Sequence, residues 1–177
     1  MTGTKTQVIA YIAVGSNIRP EENVPLAVKL LGEKVEVVAV SRFYRTRALR
    51  RPEQADYRNG VVAVRTSMTP RELRDEVLRP IEAALDRKRS VDKYAPRTMD
   101  LDLILFGDEV VREVGLTLPD DDLRARPFVA VPLLELAPEL VLPDDGARLA
   151  DLPAAQMTED LETDTVLSDT LKERLPQ

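Results

Sequence analysis

Asp100 and Asp102 stand two residues apart at the head of Asp100-Leu101-Asp102-Leu103-Ile104-Leu105-Phe106, a run that is otherwise apolar. In a strand that spacing sends both carboxylates to one face and Leu101 and Leu103 to the other. Two like charges aimed the same way are costly unless they share a proton or a cation, and magnesium is a hard ion that takes oxygen ligands of this kind. A bare D-x-D is also what a solvated strand end looks like. The preceding segment favours the metal, because Arg87, Lys88, Arg89, Lys93 and Arg97 form a basic run beside the acidic pair. Carboxylates for a metal and guanidinium forks for spare phosphate charge suit a magnesium-bound polyphosphate.

Such a site needs a sheet to carry the acids and loops to carry the bases. Gln7 to Val14 reads as a first buried strand, ended by the turn Gly15-Ser16-Asn17. Asn23 to Leu31 reads as a helix with Pro25 in its first turn and Gly32 as its stop. Val35 to Tyr44 is a second strand whose imperfect alternation implies a bulge or burial of both faces. Thr46 to Asp56 lacks periodicity and is long enough for a binding loop or lid. Tyr57-Arg58-Asn59 leads into a third strand, Gly60 to Thr66, with Tyr57 and Asn59 on one face. A flat ring and an amide suit a planar heterocycle, and an edge tyrosine packing on a neighbour fits the same residues.

Thr69-Pro70-Arg71-Glu72 is a capping box with proline at the first helical position. It opens a helix with a stripe of Leu73, Val77, Ile81, Ala84 and Leu85, in which Pro80 should kink or loosen a turn. Glu82 lies beside the stripe, and pattern alone leaves its role open. The Leu101 to Phe106 strand should turn at Gly107-Asp108 and return through Glu109 to Val111 as a hairpin. Beyond it, Leu116 to Pro119 is extended, Asp120 to Asp122 is a turn or helix start, and Phe128 to Leu136 is a short helix distorted by Pro132. Pro138 to Pro143 offers a further strand, Asp144-Asp145-Gly146 a turn, and residues 148–177 a polar extension with at most a short helix around Val166, Leu167 and Leu171. The order fits an α+β fold of split β-α-β-β-α-β type with an additional β-hairpin.

Composition narrows the chemistry. The 177 residues are enough for one domain, spanning 1–177, and too few for two ordinary ones. No cysteine and no histidine occur, which excludes thiolate chemistry, histidine-based zinc sites and a serine-histidine triad. A net charge of -6 argues against a surface built to bind nucleic acid, and the aromatic strand motifs of RNA-binding sheets are missing. Met1 to Thr6 is polar and no apolar run approaches about 18 residues, so a soluble cytoplasmic protein without membrane contact is expected. Neither G-x-G-x-x-G nor a P-loop is present, so a nucleotide would be gripped by arginines and metal.

Taken in order, Tyr11-Ile12-Ala13-Val14-Gly15-Ser16-Asn17, Ser41-Arg42-Phe43-Tyr44-Arg45-Thr46, Asp56-Tyr57-Arg58-Asn59, Ile81-Glu82, Arg87-Lys88-Arg89, Pro96-Arg97-Thr98-Met99-Asp100-Leu101-Asp102, Leu116-Thr117-Leu118-Pro119 and Arg126-Pro127-Phe128 resemble the 6-hydroxymethyl-7,8-dihydropterin pyrophosphokinases of folate synthesis. The resemblance covers roughly residues 8–145, and P-R-T-x-D-L-D is its most specific part. It implies a ferredoxin-like fold and transfer of pyrophosphate from ATP to a reduced hydroxymethylpterin, giving AMP and the pterin diphosphate. It further implies two magnesium ions on Asp100 and Asp102, with Arg87 and Arg97 as catalytic arginines. ATP would meet Glu82, Arg89, Leu103, Thr117 and Arg126, and the pterin would meet Thr46, Leu49, Tyr57, Asn59 and Phe128. Loops at Thr46 to Asp56 and Asp86 to Pro96 would move over the site.

The chain departs from the family pattern at four places. Asp120 follows Leu118-Pro119 where histidine is common, Asp86 stands where a glycine usually precedes the first loop arginine, Tyr94 replaces a loop tryptophan, and Thr46-Arg47-Ala48 replaces T-P-P. Both aspartates add negative charge near a polyphosphate. The alternatives are therefore a kinase acting on a different hydroxymethyl heterocycle and a regulatory protein that binds ATP or pterin without efficient transfer. Monomer and homodimer are both open.

Overall fold

The computed structural model describes residues 6–174, so the polar start at 1–5 and the last three residues of the C-terminal extension lie outside the described residues. The chain is an α+β fold. Its main sheet runs β5-β1-β4-β3-β8, with β2 also paired to β4, and every named pairing is antiparallel. β1 (Val8–Ser16) and β4 (Tyr57–Thr66) form the centre, and β5 (Asp100–Phe106) lies on the other side of β1. The expected second strand is two pieces, β2 (Glu36–Val40) and β3 (Tyr44–Thr46), and β2 carries a register shift between Val37 and Ala39. The irregular alternation in the sequence was the trace of that bulge and break.

Alternation along β1 separates two cores. Ala10, Ile12 and Val14 face α1 (Pro20–Gly32) and the helix through residues 70–84, whereas Tyr11 and Ala13 face α5 (Pro127–Leu136) and its neighbours. α1 starts at Pro20 rather than Asn23, so Pro20 takes the first-turn position and Pro25 sits inside the helix. Residues 70–84 run continuously as α2 (Pro70–Glu72), a π-helical stretch (Leu73–Leu78) and α3 (Arg79–Ala84). The Thr69 capping box is complete, with Glu72 N–H donating to Thr69 Oγ1 at 3.2 Å and Thr69 N–H to Glu72 Oε2 at 2.7 Å. The widened turn precedes Pro80, whose missing N–H and ring block the ordinary ladder there. Leu78 joins the buried stripe and Ala84 does not.

The expected hairpin after β5 does not form. Glu109 to Val111 does not return along β5; instead β6 (Val111–Glu113) pairs with β7 (Leu116–Leu118) around Gly115, whose φ of 75° suits glycine. α4 (Asp122–Ala125) and α5 follow, and Pro138 to Pro143 holds only an isolated bridge from Val141 to Arg148. The extension is more ordered than its polarity suggests. It contains a 3-10 turn (Leu149–Asp151), α6 (Pro153–Gln156), β8 (Glu162–Thr163) and α7 (Thr165–Glu173), with Leu167 and Leu171 buried in the α1-side core. Among the described residues no helix is long and apolar enough to cross a membrane.

Candidate active site

Because β1 runs antiparallel to β4 and β5, its C-terminal end meets the first residues of both. Gly15 lies opposite Asn59 on one side and Asp100 on the other. The α4–α6 helices cover only part of that sheet face, leaving a cleft of about 310 Å³ over the uncovered end. Alternation then decides what looks into it. Tyr57 and Asn59 from β4, and Asp100 and Asp102 from β5, line the floor. A bulge in β5 leaves Ile104 without a partner on β1, so Ile104 and Leu105 both turn to the α5-side core while the two aspartates stay in phase with the cleft.

Gly15 is required by this crowding, since a Cβ there would lie 2.7 Å from Asn59 Oδ1. Asn59 Nδ2 donates to Thr46 Oγ1 at 2.8 Å, which ties the amide to the start of the Thr46 to Asp56 loop. Gly60 is fixed from the opposite face, where a Cβ would come within 2.5 Å of the fully buried Phe43 ring. Thr46, Leu49, Tyr57, Asn59 and Phe128 all line the same cleft as Asp100 and Asp102. Burial raises the Tyr57 phenol above its ordinary value, with Asp100 adding to the effect against Arg97 and Arg87. The ring is therefore a neutral apolar plate with a polar tip.

Two arginines converge on one carboxylate. Arg87 Nη1 lies 3.1 Å from Asp100 Oδ1, and Arg97 Nη1 bonds to Asp100 Oδ2. Burial works against the Arg97 charge, but Asp100 outweighs it and holds the guanidinium firmly protonated. Arg97 is itself placed by its backbone, since its N–H donates to Asn17 Oδ1 at 2.8 Å and its carbonyl accepts from Asn17 and Ile18 N–H. The turn expected at Gly15-Ser16-Asn17 begins only at Asn17, since Gly15 and Ser16 are the last residues of β1, and this strand end with Asn17 clamps the basic loop. Ser16 Oγ adds a bond to the Thr98 carbonyl at 2.7 Å.

Arg87 is set by the end of α3. Asp86 N–H donates to the Ala83 carbonyl and Arg87 N–H to the Glu82 carbonyl, which is the paired closure of a Schellman turn, and Asp86 takes φ 59° where such turns favour glycine. Arg87 Nε is buried and has no hydrogen-bond partner among the described residues. Glu82, left open by pattern, is buried and accepts Leu101 N–H at 2.8 Å, so it covers the outer edge of β5. Its second oxygen lies 3.8 Å from Arg87 and 3.4 Å from Arg89. Burial raises its carboxyl, opposed by the Leu101 bond and Arg87.

The structure does not bring every expected residue to the cleft wall. Arg126 lines it, but Arg87, Glu82, Arg89, Leu103 and Thr117 do not: Arg87 reaches Asp100 from the end of α3 without lining the cleft, Leu103 is in the α1-side core, Thr117 is on β7 and Arg89 is exposed beside Glu82. Conversely Arg47, Lys93 and Tyr94 line the cleft. Lys93 lay in the basic run, and its ammonium sits 5.1 Å from the Tyr94 ring centroid, with Arg50 on the same ring at 5.5 Å. Arg51 reaches Asp92 at 2.7 Å and Gln54 donates to the Tyr94 carbonyl at 2.8 Å, so the two loops are tied to each other.

Asp102 is open to water in the cleft yet enclosed by protein at longer range. That enclosure raises it well above the usual carboxylate range, and Asp100, Glu82 and Asp120 add to the rise against Arg97. Asp120 is raised as well, first by burial, while Asp122 N–H donates to it at 2.8 Å. Among the described residues no three carboxylates gather as a metal cage. Two carboxylates on one face, with further acids close to Asp102, remain a fit for magnesium, which keeps several waters and takes further oxygens from phosphates.

The sequence model of the 7,8-dihydro-6-hydroxymethylpterin-pyrophosphokinase family matches residues 11–138. Among curated proteins, the chain is 39% identical over 140 residues to the 2-amino-4-hydroxy-6-hydroxymethyldihydropteridine pyrophosphokinase of Haemophilus influenzae, covering 77% of this chain and 86% of that one. It is 41% identical over 146 residues to the protein of the same name from Synechocystis sp., with coverages of 81% and 73%. For the Pseudomonas aeruginosa protein the values are 39% over 155 residues, with 86% and 94% covered. The matched span holds every strand that lines the cleft and ends just after α5.

Proposed function

The chain belongs to the 7,8-dihydro-6-hydroxymethylpterin-pyrophosphokinase family, and from that premise we propose how its cleft carries out the family's reaction. The reaction is magnesium-dependent transfer of pyrophosphate from ATP to 6-hydroxymethyl-7,8-dihydropterin, a step of folate biosynthesis. The observation that carries the residue assignment is the convergence of Asp100, Asp102 and Arg97 with Tyr57, Asn59 and Phe128 on one cleft. We read the strand order as a ferredoxin-like split β-α-β-β-α-β core, and the whole chain as one pyrophosphokinase unit.

The hydroxymethyl oxygen bonds to the β-phosphorus, the bond from that phosphorus to the α,β-bridging oxygen breaks, AMP leaves with the bridging oxygen, and the hydroxyl proton is released. Asp100 and Asp102 would hold magnesium, two ions in our reading, which would neutralise phosphate charge and supply Lewis acidity there. Tyr57 and Phe128 stack the pterin, Asn59 meets its polar edge, and Thr46 and Leu49 close the wall beside it. Arg87 and Arg97 exchange their Asp100 contacts for phosphate oxygens, with Arg126 near the departing AMP phosphate. Glu82 and Arg89 act from behind β5, and Leu103 and Thr117 bound the adenosine side. Alignment and charge placement dominate here, since phosphoryl transfer asks little covalent chemistry of the protein. The two tied loops exclude water that would otherwise take the pyrophosphoryl group.

The test is AMP release from purified protein with magnesium, ATP and 6-hydroxymethyl-7,8-dihydropterin, with the pterin diphosphate identified by mass. D100A and D102A are expected to lower kcat by about a thousandfold or more with the fold retained. Tight binding of both substrates without product would make the chain a binding protein, and unchanged turnover in both variants would remove the metal assignment.

A further inference from the structure

The segment 162–168 lies beyond the span that the family model matches, yet it is built into the back of the pterin wall. β3 is three residues long and connects directly to the Thr46 loop. It is sandwiched, with Tyr44 to Thr46 paired to β4 on one side and Tyr44 and Arg45 paired to Thr163 and Glu162 of β8 on the other. Asp164 N–H donates to the Phe43 carbonyl at 2.8 Å, and Phe43 N–H donates to Ser168 Oγ at 2.9 Å. Arg58 sits on β4 between Tyr57 and Asn59, so its side chain leaves the opposite face. There its Nε bonds to Asp164 Oδ2 at 2.6 Å, with the two side chains only 11% and 14% exposed. Asp164 Oδ1 also caps α7 by accepting Leu167 N–H at 3.0 Å.

We propose that Asp164 is a positioning residue for the pterin subsite: through Arg58 and the β3–β8 pairing it holds Tyr57, Asn59 and Thr46 in the geometry that receives the ring. This role rests on the pterin assignment made above. The partly buried Arg58 has one close partner, Asp164, and a distant one, Glu21 at 4.0 Å. Removing Asp164 leaves a desolvated guanidinium that must turn toward water, and the anchor on β4 between Tyr57 and Asn59 is lost. Burial pushes the Asp164 carboxyl up, but the Leu167 N–H and Arg58 outweigh that and hold it below the ordinary carboxylate value, so it is ionised at neutral pH. The metal and phosphate side of the cleft lies on β5, across β1 from this clamp, and connects to it only through the Thr46 loop, which is tied to the basic loop by Arg51 and Gln54.

The deciding variants are Asp164→Asn, which keeps an oxygen for the α7 cap and puts an amide donor where Arg58 Nε–H now finds an acceptor, so that both the ion pair and its hydrogen bond are lost, and Ser168→Ala, which frees the Phe43 N–H. Steady-state kinetics are combined with calorimetric titration of 6-hydroxymethyl-7,8-dihydropterin alone. D164N is expected to raise the pterin KM and Kd about tenfold and leave the ATP KM within about twofold, with S168A smaller in the same direction. A lowered melting temperature with unchanged pterin KM and Kd would reduce the clamp to a structural brace and overturn the role. If wild type binds pterin but makes no diphosphate, the titration still decides the positioning while the kinase reading fails. A wild-type protein that binds no pterin, either alone or in the presence of magnesium and a non-hydrolysable ATP analogue, sinks both.

Discussion

Asp86 shows how a single residue can carry a cost for a neighbour's placement. Its φ of 59° is strained for a side chain that is not glycine, and its charge stands at a helix C-terminus, where a negative group is unfavourable. The Schellman bonds that place Arg87 are made by the backbone and do not need the carboxylate. D86G is therefore expected to raise the unfolding midpoint in urea by the equivalent of about 0.5 to 1 kcal/mol, the relief of strain exceeding the added chain entropy of glycine. At this scale much of the site was legible. Asp100 and Asp102 share one face of β5, and Tyr57 and Asn59 one face of β4, because a period of two is a direct reading of strand geometry; that both faces open on one cleft is set by the pairing of the two strands with β1. Glu82 was not legible, since a helical pattern tells which face a residue is on but not that a strand edge will arrive to use its carboxylate.

At the scale of elements, β3 is where local pattern and tertiary context part. Val35 to Tyr44 reads as one strand, but β2 and β3 are separate because Phe43 must drop over Gly60 between them. Tyr44 then points to α5 and donates its hydroxyl to Glu135, which also takes the Arg42 N–H at 3.0 Å. Burial first, then Glu135, pushes the Tyr44 phenol from 10.0 to about 12. Because the folded value is the higher one, the stabilisation is complete below the unfolded value and is lost as pH climbs through the folded one. The difference in stability between wild type and Y44F, followed by denaturant titration, should hold steady to about pH 9 and shrink between about pH 10 and 12. The missed hairpin has a similar cause. Gly107-Asp108 is good turn chemistry, yet Gly107 N–H is taken by Ile9 and the chain leaves the sheet instead of doubling back along β5.

For the whole molecule, the order of strands and helices as far as residue 106 was readable because apolar strand runs and helical stripes follow one another there, although the second strand proved to be two. The C-terminal extension was not, because its polarity hides a strand that gains its partners only from residues far away in sequence. Ser168 bonds across 125 residues to Phe43, and Asp164 across 106 to Arg58. Amide hydrogen exchange read by mass spectrometry should rank β1 and β4 slowest, since each has neighbours on both sides, and the loops 47–56 and 86–96 fastest. Residues 162–168 should open together with β3 rather than with the loops, and exchange of that segment as fast as the loops would contradict the packing described. Such distant pairings also set an order in time. A loop closed over a hundred residues is among the slower contacts to form, and the chain that supplies β8 is translated after the rest of the sheet. While this stretch is still inside a ribosome, the strand of Asp100 and Asp102 and the loop of Arg87 and Arg97 are already made, but the wall proposed for the pterin lacks its outer support. On that proposal a nascent chain has the half of the site assigned to the nucleotide before the half assigned to the acceptor is braced.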